Sequence, residues 1–307
     1  MTDLKRATAE LAKKGSLVLA SLPDGFDAFC IADLSRALAP TAEERAVVLV
    51  HIARDEQRAR AFNETLAFVA PEIEILDFPG WDCQPYDRVS PNAAISARRM
   101  TVLSRLARSR TAAGRPRILS TTVNAVLQRV PPREKVAAES FSAAPGNAVN
   151  MTSLTEWLQN NGFARASAVR DTGEYAVRGG ILDLFAPSML EPIRLDFFGD
   201  TLESIRTFDP ETQRTVAPLR AVDLVPVSEA QLTTDSMRRF RQGYVGAFGG
   251  GLRGDTLYEA VSEGRRHPGL EHWLPLFYDG LDTLFDYIGG APLVLDPLTD
   301  EAATERL

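Results

Sequence analysis

The sequence predicts an α/β protein in which a parallel sheet is joined to a smaller inserted domain of antiparallel strands. Three observations support this fold class. Apolar strand segments alternate with amphipathic helical segments over residues 1–123, which is the pattern of βαβ units. Short strands with closely spaced glycines follow over residues 163–208. Parallel-strand character returns in PLVLD at residues 292–296, so we expect the first sheet to take strands from both ends of the chain.

The composition indicates a globular protein and excludes several classes. The chain has 307 residues, of which 45% are hydrophobic and 24% charged, enough for a large core and two or three domains. A net charge of -7 argues against a chain whose main task is to wrap nucleic acid, because such binding depends on neutralising phosphates. No signal peptide and no apolar run of about 18 residues is recognisable. The sequence therefore predicts a cytoplasmic protein without a membrane span.

The cysteines and histidines do not suggest a disulfide framework or a metal centre. Cys30 and Cys83 lie far apart and lack the spacing of zinc motifs, so both are expected to be reduced thiols. His51, His267 and His272 are scattered along the chain. Because metal ligands usually occur at characteristic spacings, no metal site is predicted.

The first element has the layout of a phosphate-binding loop without its chemistry. An apolar strand segment at residues 16–20 leads through a turn into the helical segment FDAFCIADLSRALA. A working loop has several glycines whose N–H groups surround phosphate oxygens, followed by Lys and Ser or Thr. Here only Gly25 is present, and Phe26 and Asp27 stand where the Lys and the Mg²⁺-binding hydroxyl would be. The alternative interpretation is an ordinary capped helix after a strand.

The remaining parallel domain is expected to alternate strands with helices. AVVLVHI, IEILDF and RILSTT are typical of strands, whereas RDEQRARAFNETLAFV and residues 93–110 are typical of helices. Residues 93–117 contain arginines and no acidic residue, and this segment is either a solvated basic face or a contact for DNA phosphates or an acidic protein surface. The arginines are Arg98, Arg99, Arg105, Arg108, Arg110, Arg115 and Arg117.

A small antiparallel sheet is predicted in the middle of the chain. LDFFGDTLESI reads as a hairpin with a Gly-Asp turn. The helix SLTEWLQNNG precedes the sheet, with Ser153 and Glu156 as its expected capping box. Helices are also predicted for DSMRRFRQGYVGAF, DTLYEAVSEG and the polar end of the chain, TDEAATERL. The chain is expected to be part of a longer protein.

Two stretches resemble one protein family. The first is FPGWDCQPYDRVSPNAAISARRMTVLSRL, followed by ILSTTVNAVLQRVPP. The second is GEYAVRGGILDLFAPSMLEPIRLDFFGDTLESIRTFDPETQRT. Together they resemble the amino-terminal region of the bacterial transcription-repair coupling factors, the Mfd family. That region is itself similar to UvrB, the damage-verifying subunit of nucleotide excision repair, and the resemblance covers nearly all of the chain.

The resemblance implies a UvrB-like arrangement with a degenerate nucleotide site. A RecA-like domain 1a would comprise residues 1–123 and 288–307, domain 2 residues 124–208, and domain 1b residues 209–287. In UvrB, the strand that matches LVLDPLTD ends in an Asp-Glu pair that handles Mg²⁺ and the attacking water, whereas here Pro297 follows Asp296. With Phe26 and Asp27, this is a second loss from the ATPase machinery. Because phosphoryl transfer depends on positioning and charge neutralisation, the fragment is expected to be non-catalytic and to bind neither ATP nor Mg²⁺.

The resemblance also implies a docking site for UvrA, the damage-sensing ATPase, on domain 2. Alignment on an RG dipeptide matches Arg165 and Arg178 to UvrB surface arginines and departs from UvrB at Ala176. Tyr175 and Phe185 are candidate apolar contacts beside them. From the residues alone, both arginines could be solvated and both aromatic side chains could belong to the core. Weaker candidates nearby are Arg170, Arg194 and Arg206.

The favoured hypothesis is a non-catalytic, UvrA-recruiting module of a transcription-repair coupling factor. RNA polymerase and duplex DNA would be bound by other parts of the parent protein, an ATP-dependent DNA translocase. The alternative is a UvrB-like helicase fragment with residual nucleotide or DNA binding. No aromatic-rich hairpin of the kind that clamps DNA in UvrB is recognisable, so damage verification by strand threading is not expected.

Overall fold

The computed structural model describes residues 15–39, 46–85, 87–108, 116–250 and 254–306. In this part of the chain the strands are β1 (Leu49–Ala53), β2 (Glu74–Phe78), β3 (Arg117–Thr122), β4 (Phe141–Ala143), β5 (Ala164–Arg165), β6 (Glu174–Arg178), β7 (Ile181–Leu184), β8 (Ile193–Phe198), β9 (Thr201–Phe208), β10 (Thr215–Leu219), β11 (Val222–Leu224) and β12 (Leu293–Leu295). The α-helices are α1 (Phe26–Leu38), α2 (Glu56–Val69), α3 (Ala93–Arg108), α4 (Val123–Leu127), α5 (Arg133–Ala138), α6 (Met151–Asn160), α7 (Thr234–Phe248), α8 (Thr256–Ser262), α9 (Leu284–Ile288) and α10 (Thr299–Arg306), and a 3₁₀ helix spans Leu270–Leu276.

The chain forms two compact units, each of which takes separate stretches of sequence. The first comprises Met1–Gly80, Arg105–Arg129 and Thr283–Leu307, and the second comprises Trp81–Ser104 and Val130–Asp282. The first unit holds a parallel sheet and the second holds a six-stranded sheet and a two-stranded ladder. The predicted α/β class with an inserted antiparallel domain is therefore confirmed.

The sheet of the first unit has the order β12-β1-β3-β2, with all neighbouring strands parallel. Strand β12 pairs with β1 in a register that sets His51 beside Val294, which confirms that the late apolar segment returns to the first sheet. All five residues of β1 are buried, as expected for a parallel strand covered on both faces. The apolar residues that join α1 and α2 to this sheet include Ala28, Ile31, Phe62, Leu66, Leu49 and Ile118.

The predicted first strand at residues 16–20 is wrong. None of the described strands pairs with this segment, and Val18 is 87% exposed. An apolar run becomes a strand only where a neighbour can satisfy its backbone N–H and C=O groups. The helix after the turn does form, beginning at Phe26, and Gly25 precedes it with φ 79°, a left-handed conformation that glycine adopts without steric cost.

The sheet of the second unit has the order β10-β9-β8-β7-β6-β5 and is antiparallel except at its β5–β6 edge. The predicted hairpin is confirmed, because β8 and β9 pair across the turn at Gly199-Asp200. Strand β10 joins β9 with Thr215 opposite Phe208, so the sheet continues past the expected end of domain 2. One face of the sheet forms a core with α6, whose members include Leu154, Leu158, Tyr175, Leu182, Leu195 and Ile205.

Helix α6 begins three residues earlier than the predicted capping box allows. Asn150 is the N-cap, and its Oδ1 accepts the N–H of Ser153 at 2.9 Å. Asn, Ser and Asp are comparably good caps, because each offers a short side-chain oxygen to a free helical N–H group. The prediction that Ser153 and Glu156 form the capping box is therefore wrong.

The rest of the second unit is a helical layer around an aromatic cluster. Phe240 on α7 stacks on Phe277 with ring centroids 5.0 Å apart, and Tyr244 lies beside Phe240. The side chain of Thr233 caps α7 by accepting the N–H of Ser236. Within the described ranges, no helix combines the length and apolar character needed to cross a membrane.

Candidate functional site

The two carboxylates predicted for the degenerate nucleotide site meet at one arginine. Arg58, on α2, donates from Nε to Asp296 Oδ2 at 3.1 Å, and its Nη2 lies 3.5 Å from Asp296 Oδ1. The same Nη2 also donates to Asp27 Oδ2. The first turn of α1 and the end of β12 are therefore tied together through α2. Sequence reasoning selected both carboxylates but missed Arg58, which lies in an unremarkable amphipathic helix.

A buried histidine completes this cluster. His51 Nε2 lies 3.2 Å from Asp296 Oδ1, and it donates the proton because an ionised carboxylate only accepts. The imidazole is fully buried and stacks on Phe62 with ring centroids 3.8 Å apart. Burial raises the pKa of Asp296, but the hydrogen bond from His51 and the charge of Arg58 outweigh it, so the carboxyl pKa lies below its usual range.

The residues of this site do not fit a bound nucleotide with Mg²⁺. A phosphate at the start of α1 would meet the carboxylate of Asp27, and like charges at short range repel each other. The guanidinium of Arg58, which lies beside this position, is already divided between two carboxylates. Phe26 is 48% exposed and offers no positive charge where a lysine would bind phosphates.

The cluster nevertheless has ligand atoms suited to a cation. One ligand atom each from Asp27, His51 and Asp296 lies within 4.8 Å of the other two. Sequence analysis predicted no metal site and treated His51 as scattered. The pairing of β1 with β12 brings His51 to Asp296, although 245 positions separate them in the chain.

The predicted UvrA-binding arginines lie at the β5–β6 edge of the six-stranded sheet. Arg165 ends β5 and Arg178 ends β6, and both are exposed. Arg178 donates from Nη2 to the carbonyl of Ser167 at 2.9 Å. Arg165 is the register partner of Tyr175, whereas Arg178 follows Tyr175 by three residues. Because side chains alternate along a strand, the two arginines border the edge from opposite faces.

Tyr175, predicted as an apolar contact for UvrA, is not at the surface of the structure. Its side chain is fully buried in the core that α6 forms with the sheet. Its hydroxyl accepts a hydrogen bond from Gln159 Nε2 at 2.8 Å. The alternation along β6 turns Tyr175 towards α6 and away from solvent, so the ring cannot reach a partner protein in this fold.

Phe185 lies on the opposite face, at the border of a small apolar cluster. It is partly buried and packs against Val169, Ala176 and Phe208. Ala176, where the chain departs from UvrB, is itself buried. A small side chain at this position lets the cluster close over Phe208. Phe185 therefore remains the candidate apolar contact.

Two of the three weaker arginine candidates already have partners within the sheet. Arg194 forms a two-point ion pair with Asp183 at 2.7 and 2.9 Å and lies over the ring of Phe208. Arg206 pairs with Asp196 at 2.6 Å. The side chain of Arg170 is exposed, and its backbone N–H donates to the Glu174 carboxylate at 2.9 Å.

The basic segment at residues 93–117 is not a continuous solvated face in the ranges that the structure covers. Arg99 is fully buried and binds Glu229 through two hydrogen bonds of 2.6 and 3.2 Å. Trp81 donates from Nε1 to the same carboxylate at 3.0 Å. The interpretation of Arg99 as a solvated or DNA-contacting residue is therefore wrong, because its charge is neutralised inside the protein.

Two other arginines of this segment share one carboxylate. Arg105 and Arg117 both bind Glu74, and Arg117 Nε lies 2.6 Å from its Oε2. Burial raises the pKa of Glu74, but the hydrogen bonds from these arginines outweigh it and hold the pKa below its usual range. Arg98 and Arg108 are exposed. The remaining two, Arg110 and Arg115, lie outside the described residues.

Comparison with known proteins places this arrangement in a family. Residues 141–229 match the family described as the UvrB interaction domain. The chain is 32% identical over 256 residues to a transcription-repair-coupling factor of Rickettsia bellii, which covers 83% of the chain and 22% of that protein. It is 36% identical over 279 residues to the one of Myxococcus xanthus, covering 84% of the chain and 23% of that protein. The corresponding Escherichia coli K12 protein is 30% identical over 270 residues, or 88% of the chain and 23% of the relative. The chain thus spans less than a quarter of the length of these relatives, and it belongs to the transcription-repair-coupling factors as the counterpart of their amino-terminal, UvrB-like region.

Proposed function

We propose that this chain is a non-catalytic module that recruits UvrA through the β5–β6 edge of the six-stranded sheet, which we call the arginine edge. The observation that carries the proposal is the position of Arg165 and Arg178. Both are exposed at one edge of the sheet, inside the region that matches the UvrB interaction domain. The arginine edge consists of Arg165, Arg170 and Arg178.

The chemistry of the edge suits an acidic partner surface. A guanidinium group binds a carboxylate through two parallel hydrogen bonds, while its methylene groups still pack against apolar surface. The hydrogen bond from Arg178 to Ser167 restrains the side chain before binding, which reduces the entropy lost on association. This hydrogen bond uses one N–H group of the guanidinium, and the others would bind the carboxylates of the partner.

Phe185 adds an apolar contact on the face that Arg178 shares. Its N–H donates to the carbonyl of Glu174, which lies four residues before Arg178 on β6, or about 13 Å at the rise of a strand. Arginine and aromatic residues are enriched among the residues that dominate interface energies. An arginine and a partly buried ring at this separation fit within one interface of ordinary size.

The parallel sheet of the first unit would then serve as a scaffold. Because Asp27 and Asp296 share Arg58, we expect no ATP hydrolysis by this chain. The binding of RNA polymerase and duplex DNA, and ATP-driven translocation, would belong to other parts of the parent protein. We expect the protein to act in the cytoplasm, where nucleotide excision repair takes place.

The proposal is tested by titrating purified UvrA with the wild-type chain and with an Arg165→Ala/Arg178→Ala double variant in a calorimeter. Loss of two interface arginines at about 1–2 kcal/mol each should weaken binding by at least roughly 30-fold. Arg206→Ala is the matched control, since it removes an exposed arginine of the same sheet that is paired with Asp196. Unchanged affinity of the double variant, with a wild-type unfolding temperature, would refute the proposal.

The rival hypothesis, residual nucleotide binding, has a separate test. Any ligand that binds the native state raises the unfolding temperature with concentration. With millimolar Mg-ATP, we expect the wild-type chain to show no shift and no phosphate release in the presence of DNA. A saturable shift with Mg-ATP, or release of phosphate in the presence of DNA, would favour the UvrB-like alternative.

A further inference from the structure

We propose that Asp27, His51 and Asp296 form a binding site for one divalent transition-metal ion, and that Arg58 competes with the metal for the same carboxylates. We call these three residues the metal pocket. The proposed site lies entirely within the first unit. It is independent of the UvrA proposal and needs no nucleotide, because all three ligands come from protein side chains.

The ligand atoms of the metal pocket match the preferences of a transition-metal ion. Two carboxylate oxygens and one imidazole nitrogen suit Zn²⁺, Co²⁺ or Mn²⁺, whereas an imidazole is a poor ligand for Mg²⁺. The three ligand atoms are within 4.8 Å of one another. Tetrahedral ligands at about 2.0–2.2 Å from a common ion lie roughly 3.3–3.6 Å apart, so the side chains must move closer by at most about 1.5 Å to bind one ion. His51 and Asp296 are buried and Asp27 is partly exposed, so solvent reaches one side of the pocket.

The charges of the cluster also favour a divalent ion. Two carboxylates carry two negative charges, and Arg58 supplies only one positive charge to them. A divalent ion would neutralise both. The Arg58 side chain is 26% exposed, so its guanidinium can turn into solvent without crossing the core. The arginine then acts as a reversible occupant that neutralises part of the carboxylate charge when no metal is bound.

The second nitrogen of His51 supplies an independent observation. His51 Nδ1 is buried and has no hydrogen-bond partner, and the same is true of Ser120 Oγ. Ser120 is the register neighbour of His51 on the adjacent strand β3, so both side chains project from the same face of the sheet. When a metal binds Nε2, the proton moves to Nδ1, and metal-bound histidines usually donate that proton to a second group. A small rotation of Ser120 would provide the acceptor, making it a positioning residue for the ligand.

The experiment measures Co²⁺ binding by visible absorption and Zn²⁺ binding by calorimetry. Cys30 and Cys83 are free thiols that also bind these ions, so all variants are compared in a Cys30→Ser/Cys83→Ser background. We expect one Co²⁺ per chain. Arg58→Gln removes the competitor and should tighten binding about tenfold, because a competing closed state lowers the apparent affinity. Asp296→Asn should weaken binding about 100-fold, a loss at the upper end of those seen when metal sites are altered.

Two further variants keep the test decisive. Arg58→Lys retains a positive charge but lacks the planar guanidinium that bridges the two carboxylates. It takes the place of Arg58→Gln in the titrations if that variant fails to fold. Ser120→Ala should weaken binding about tenfold while leaving the Co²⁺ spectrum unchanged, as expected for a group beyond the ligands. The proposal is overturned if neither ion binds the Arg58 variants at millimolar concentration. It is equally overturned if Asp296→Asn binds Co²⁺ as tightly as the background protein.

Discussion

Removal of Arg99 is expected to be the most destabilising single change among the arginines of the basic segment. Arg99 and Glu229 are 0% and 1% exposed in their side chains and share two hydrogen bonds. In Arg99→Met the carboxylate keeps its hydrogen bond from Trp81 but loses its counter-charge. Breaking a buried pair by removing one partner costs about 3–5 kcal/mol, because the other charge stays buried and uncompensated.

The loss of stability in Arg99→Met comes from the isolated charge of Glu229, so it should be smaller when both residues are replaced by neutral ones. In an Arg99→Met/Glu229→Gln double variant, we expect the loss to be about 2 kcal/mol smaller than the sum of the two single losses, which is a coupling within the range for contacting residues. The matched control is Arg238→Met, which breaks a pair with Asp235 whose side chains are 64% and 76% exposed. Exposed pairs contribute at most about 1 kcal/mol.

The free energies of unfolding would be measured by urea denaturation followed by tryptophan fluorescence and circular dichroism. Because the chain has two compact units, the transition of the second unit must be fitted separately. The reasoning would be refuted if Arg99→Met and Arg238→Met were equally stable. It would also be refuted if the effects of Arg99→Met and Glu229→Gln were additive, since that would mean that the charges do not interact.

Two further predictions concern pH. The pKa of Glu74 is lowered in the folded protein, where Arg105 and Arg117 bind its carboxylate. The ionised carboxylate therefore stabilises the fold above its unfolded pKa of about 4.3, and this stabilisation is lost as the pH falls through its folded pKa. Glu74→Gln should therefore flatten the decline of stability below that pH in acid titrations of the unfolding temperature, and an unchanged acid limb would contradict this. Burial, together with the hydrogen bond to Asp255, raises the pKa of Tyr244 to about 12. The protonated Tyr244 hydroxyl therefore stabilises the fold below its unfolded pKa of about 10, and this stabilisation is lost as the pH rises towards its folded pKa. Tyr244→Phe should remove that alkaline loss, and phenolate absorption at 295 nm would report the ionisation directly; a Tyr244 that ionises near pH 10 in the native protein would disprove the assignment.

In the first unit, the charged residues that the sequence analysis assigned to a degenerate nucleotide site bind one another through Arg58. The turn at Gly25 leads into helix α1 as predicted, but no described strand precedes it. The charged groups beside α1 are paired with one another, since Arg58 binds Asp27 and Asp296, and His51 binds Asp296. A cluster closed in this way holds α1, α2 and β12 together, and that is a sufficient structural reason for charged residues to remain there.

The local sequence pattern was enough to predict most of the helices and strands. The apolar periodicity of RDEQRARAFNETLAFV specified α2, and the Gly-Asp turn specified the β8–β9 hairpin. These features depend on residues close in sequence, whose period and turn chemistry can be read directly. The family resemblance was also carried by local motifs. Sequence reasoning failed for residues 16–20, whose apolar composition allows a strand but cannot supply the neighbouring strand.

The sequence by itself determined the α/β class, the return of the last strand to the first sheet and the membership of a repair-protein family. Only the tertiary structure decided which side chains are accessible. It turned Tyr175 into the core, buried Arg99 against Glu229 and joined His51 to Asp296. The physical reason is that burial and charge pairing depend on partners that are distant in the chain, such as Glu229 for Arg99, and no local period records where those partners will lie.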